Sequence, residues 1–78
     1  MKIDNQSWQD LGSEQFDRTL RAAGGSLRIL SGSPTGQPAS AGMGLLNGES
    51  ITLSAGVTYS ARAWLAASAT AEIIDNGV

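Results

Sequence analysis

Two short runs of strict alternation, separated by one Ala-Gly break, constrain this chain more than anything else in it. Ser50-Ile51-Thr52-Leu53-Ser54 places an apolar residue at every second position. After Ala55-Gly56, Val57-Thr58-Tyr59-Ser60-Ala61-Arg62-Ala63-Trp64 alternates again, with Val57, Tyr59, Ala61 and Ala63 on one face and Thr58, Ser60, Arg62 and Trp64 on the other. A period of two is what a half-buried strand requires, because successive side chains point to opposite faces of a sheet. Residues 65–68 turn the chain, and Ala69-Thr70-Ala71-Glu72-Ile73-Ile74 reads as a last strand with Ala69, Ala71 and Ile73 inward. Strands punctuated by turn signals at this density predict an all-β chain, a small antiparallel β-sandwich or barrel. The small inward residues allow facing strands to approach closely.

The first half is less regular. Residues 1–12 read as an extended N-terminal arm ahead of a single β domain over 13–78. Ile3, Trp8 and Leu11 are its apolar points, and they fit no strand alternation. Such an arm covers the edge of its own domain, lies on a neighbour, or frays with Trp8 tucked onto the core. Residues 13–23 admit two readings. Ser13 could cap a helix carrying Phe16, Leu20 and Ala23. The preferred reading is a hairpin about Gly24-Gly25, placing Ala22 opposite Leu27, Leu20 opposite Ile29 and Arg21 opposite Arg28. Residues 31–44 form a long loop of Gly, Ser and Pro, in which Pro34 and Pro38 cannot donate to a central ladder. Loops of this length usually make contacts or move.

Composition narrows the function. Nearly half of the 78 residues are Gly, Ala, Ser or Thr, and there is no Cys and no His. Disulfides, thiolate metal sites, His bases and a complete Ser-His-Asp triad are therefore excluded within the chain. The carboxylates Asp4, Asp10, Glu14, Asp17, Glu49, Glu72 and Asp75 show no calcium-loop spacing, and no Walker A or dinucleotide fingerprint is present. No enzymatic activity, metal or cofactor is expected. The net charge of −2 argues against nucleic acid as a partner. The opening residues lack the apolar stretch of a signal peptide, and the longest uncharged stretch, 30–48, is too rich in Gly, Ser and Pro for a membrane helix. A chain this small buries only about 60% of its unfolded surface. Without disulfides or metal it is expected to gain stability from copies of itself or from a larger body. Trp64 beside Arg62 on the outer face is a candidate interface anchor. With the arm and loop, the candidate interface residues are Ile3, Trp8, Leu11, Pro34, Pro38, Arg62 and Trp64.

The segment Leu46-Asn47-Gly48-Glu49-Ser50-Ile51-Thr52-Leu53-Ser54-Ala55-Gly56-Val57-Thr58-Tyr59-Ser60-Ala61-Arg62-Ala63, with Ser33-Pro34-Thr35, Ala41-Gly42 and Ala69-Thr70-Ala71-Glu72-Ile73 around it, resembles the small β-sandwich structural proteins of tailed-bacteriophage virions. The likeness spans roughly residues 27–74 and lies mostly in the G-E-S-I-T-L strand, the A-G turn and the two alternating strands after it. It implies a capsid decoration or cement protein that binds the shell as an oligomer and stabilises it. Its partners would be copies of itself and the major capsid protein, and it would be assembled in the host cytoplasm. A small tail, head-tail or head-fibre component is the alternative within the virion. A carbohydrate- or host-surface-binding module using Trp64, Tyr59 and the 31–44 loop is the alternative of another class.

Overall fold

The alternating runs become strands, and eight strands account for the whole architecture. The computed structural model describes residues 1–75. In chain order the strands are β1 (Lys2–Asp4), β2 (Gln9–Gly12), β3 (Arg18–Ala23), β4 (Ser26–Ser31), β5 (Met43–Leu45), β6 (Ser50–Leu53), β7 (Tyr59–Trp64) and β8 (Ser68–Asp75). They build two four-stranded antiparallel sheets, ordered β1-β8-β3-β6 and β2-β7-β4-β5. The expected all-β sandwich is present. Among the described residues there is no helix, and so none long and apolar enough to cross a membrane.

The pairing is nested. β4 pairs with β5, β3 with β6, β2 with β7 and β1 with β8. The chain is thus one long antiparallel ribbon rolled so that successive strand pairs fall alternately in the two sheets. This is the connectivity of an eight-stranded jelly roll. Rolling the ribbon puts each strand's inward residues against the opposite sheet. The core they form holds Ile3, Leu11, Leu20, Leu27, Ile29, Leu45 and Leu53, with Ala22, Ala61, Ala63, Ala69 and Ala71. Ala61, Ala63, Ala69 and Ala71 point inward as the alternation predicts. Tyr59 and Ile73 pack partly buried against the same core.

Three sequence expectations are corrected. Of the readings open to residues 1–12, covering the edge of their own domain is the one present, as strands of the sandwich and not as an arm outside it. They supply β1 and β2, one to each sheet, and Ile3 and Leu11 are buried in the chain's own core at 1% and 7% exposure. Strands of three and four residues are too short to show a period, which is why they read as irregular. β2 also carries a bulge between Asp10 and Gly12, where Gly12 adopts φ 69° and its N–H donates to Asp10 Oδ1 at 2.7 Å.

Nor do Gly24-Gly25 close a hairpin. β3 pairs with β6 and β8, whereas β4 pairs with β5 and β7, so the two glycines carry the chain from one sheet to the other. Leu20, Ala22, Leu27 and Ile29 do share the interior, but they meet across the sandwich and not along a ladder. Arg21 consequently never faces Arg28. It pairs with Glu72 on β8, 2.7 Å away. Finally, the long loop is shorter than 31–44, because Ser31 ends β4 and Met43 and Gly44 open β5.

Among the described residues, Arg18 is the one charged residue buried within the sandwich, at 5% exposure. Its Nη1 donates to the Leu11 carbonyl at 2.9 Å and its Nη2 to the Gly12 carbonyl at 3.2 Å. The guanidinium thereby ties β3 to the bulged end of β2, satisfying carbonyls that the bulge removes from the ladder.

Candidate docking face

The outer face of the β2-β7-β4-β5 sheet collects the residue types that dominate protein interfaces. Because Leu27 and Ile29 point inward on β4, Arg28 and Leu30 point outward. On β7 the same parity turns Ser60, Arg62 and Trp64 out. The register sets Arg28 directly opposite Arg62 on one side and opposite Gly44 of β5 on the other. Ser26 lies opposite Trp64, and Leu30 opposite Ser60.

Trp64 lies diagonally across this row. The Arg28 guanidinium carbon sits 4.6 Å from the centroid of the indole. Beneath the other end of the ring, Gly44 provides the space, since a Cβ built there would stand 2.6 Å from Trp64 Cζ3. Arg28 Nη1 also donates to the Gly42 carbonyl at 3.2 Å, and Arg62 Nε donates to the Asn5 carbonyl at 3.0 Å. Both guanidinium groups are therefore held by the backbone of loops that flank the sheet. Neither forms an ion pair with a carboxylate among the described residues.

Replacing Gly44 with Ala should push the indole off β5 and break its stack on Arg28. The expected loss is about 1 kcal/mol, the scale of one cation–π contact at a partly exposed site. A shift in tryptophan emission together with a small fall in melting temperature checks this. Identical emission from the variant and the parent would show that Trp64 does not rest on Gly44.

The other half of the face is a cleft of about 480 Å3 lined by Trp8, Asp10, Gly32, Ser33, Pro34, Thr58 and Ser60. Trp8 lies in the connection between β1 and β2, half-buried, and its Nε1 is buried without a hydrogen-bond partner among the described residues, as is Arg28 Nε. Ser60 is on the outer side of β7, yet only 1% exposed. Trp8 and the loop residues Gly32, Ser33 and Pro34 line the cleft around it.

Of the candidate interface residues named from the sequence, Trp8, Pro34, Arg62 and Trp64 fall on this one face. Ile3 and Leu11 do not, because they belong to the core. Pro38 is exposed in the loop but does not line the cleft. Sequence reasoning missed Arg28 and Gly44, whose roles depend on strands that meet only in the sheet. No cluster of His, Cys, Asp or Glu suited to a metal occurs among the described residues. No protein-family model, no curated protein and no solved structure matches the chain.

Proposed function

We propose that the chain is a structural protein of a tailed-phage virion, a decoration or cement module that docks on the shell as an oligomer and stabilises it. The observation that carries this reading is a jelly roll with one outer sheet face that gathers two tryptophans and two arginines lacking ion-pair partners. Trp and Arg are the residues most enriched among interface hot spots. Jelly rolls serve viral capsid and lectin domains alike, and a fold by itself does not assign a function. The likeness of the G-E-S-I-T-L strand and its neighbours to virion β-proteins favours the capsid side. Many identical weak contacts on a symmetric shell would add up by avidity.

Quantitative mass spectrometry of particles made by a phage encoding the chain tests the reading. Hundreds of copies per particle support a decoration role. A handful to a few dozen would move it to the tail or a vertex, and absence from particles would overturn it. Trp64→Ala should leave the melting temperature within a few degrees of the parent while weakening attachment to shells by about 2 kcal/mol or more. Undiminished attachment of that variant would remove Trp64 from the docking face.

The Trp8 cleft supports a second reading, a carbohydrate- or host-surface-binding module. An indole flanked by Asp10, Ser33, Thr58 and Ser60 offers an apolar wall with polar groups beside it. Saturable binding to a glycan array, lost in Trp8→Ala, would favour it over the first.

A further inference from the structure

On the proposed docking face, we infer that Arg28 and Arg62 form a seat for a carboxylate-bearing segment of a protein partner. This rests on the reading of that face as an interface and names the chemistry of what it receives.

Arg28 and Arg62 are directly opposed across the β4–β7 ladder, where like charges repel. Of the outward positions around them, Ser26, Leu30, Gly44, Ser60 and Trp64 carry no charge, and the acid that shares the face, Asp10 opposite Ser60 on β2, accepts from the Gly12 N–H and forms no ion pair with either arginine. Five of the chain's seven carboxylates are engaged elsewhere. Asp4 accepts from the Gln6 N–H, Asp10 from Gly12, Asp17 from Ala55 and Glu49 from Leu46, and Glu72 is taken by Arg21. Neither Arg28 nor Arg62 has an ion-pair partner among the described residues, in a protein of net negative charge.

Each guanidinium uses one N–H on a loop carbonyl, which holds it in place and leaves further donors for a ligand. The Trp64 ring, 4.6 Å from the Arg28 guanidinium carbon, restrains that side chain further. Arg28 reaches toward the β5 side of the sheet and Arg62 toward the β1–β2 connection, so each head can take its own carboxylate, which accepts two parallel hydrogen bonds from one guanidinium. The flanking Trp64 and Leu30 supply apolar surface of the kind that surrounds a buried ion pair at a protein interface. The acidic remainder of the chain opposes long polyanions such as nucleic acid, which need many phosphate contacts.

Side-chain NMR of the 15N-labelled full chain tests this with acetylated, amidated tetraglutamate as the probe and tetraglutamine as the control. Tetraglutamate should move the Nε–H signals of Arg28 and Arg62 and the indole N–H of Trp64, and added salt should weaken it. Tetraglutamine should move none of them. Arg62→Gln, and the double variant Arg28→Gln with Arg62→Gln, should bind the probe about tenfold more weakly or worse. Both should keep a dispersed spectrum, since a repulsive pair is removed. Silent arginine signals, equal binding by the folded double variant, or stronger binding of inorganic phosphate at the same residues would each overturn the inference. The two proposals fail separately. Absence of the chain from particles leaves the NMR result standing, whereas normal incorporation of the double variant overturns the seat and leaves the virion role intact.

Discussion

A chain lacking residues 1–12 should not fold. The truncation removes β1 and β2, and with them Ile3 and Leu11, both buried among the core aliphatics. Loss of a buried aliphatic side chain of this size costs about 2–5 kcal/mol. Two of them, about 4–10 kcal/mol together, are comparable with the total stability of roughly 4–12 kcal/mol expected for a chain of this length. The deletion also strips β8 and β7 of their outer ladder partners and leaves Arg18 without the carbonyls of Leu11 and Gly12. Circular dichroism and a proton–nitrogen correlation spectrum of the truncated chain give the answer directly. A dispersed native-like spectrum would mean that the six remaining strands close a core without the first two.

Ala61→Leu should be the most damaging conservative point change on β7. Ala61 is fully buried and lies between β2 and β4 in its own sheet, opposite Gln9 and Ile29. Its side chain faces the other sheet, where Ala22, Ala69 and Ala71 line the interior. Three added carbons must enter a space packed for a methyl group, at an expected cost of about 1–3 kcal/mol. In a domain of this size that corresponds to a fall in melting temperature of roughly 5–20 °C. Thermal unfolding followed by circular dichroism measures it. A variant that melts with the parent would mean that the space beside Ala61 admits a larger side chain.

The residues that carried their own structural message were those whose neighbours in sequence sufficed. Residues 50–64 alternate long enough to define β6, β7 and the inward side of each, so the outward direction of Trp64 and Arg62 was legible before any fold was known. Gly24-Gly25 shows where local signals stop. A two-residue turn flanked by alternating strands looks the same whether the strands then pair edge to edge or separate into facing sheets about 10 Å apart. Leu20, Ala22, Leu27 and Ile29 point inward either way. Only the hydrogen-bond partners differ, and those come from β5, β6, β7 and β8. The docking face was half legible for the same reason. The parity of β7 assigned Trp64, but Arg28 and Gly44 reach it through β4 and β5. Ile3 and Leu11 were taken for contact residues because strands so short display no period at all.

The nesting of strand pairs bears on how the protein is made. The innermost pair, β4 with β5, is complete as soon as residue 45 has left the ribosome, whereas β1 must wait for β8, the last strand synthesised. Ile3, whose register partner is Ala69, lacks that partner on the nascent chain until β8 has been translated. The rolled sandwich therefore cannot be complete before β8 has been made, and its distant pairings place folding on the millisecond-to-second scale. Until then the unpaired edge of β8 and the apolar residues it should cover are open to other nascent chains. A cell making many copies at once would be best served by a chaperone that holds the N-terminal dozen residues apart until their partner arrives.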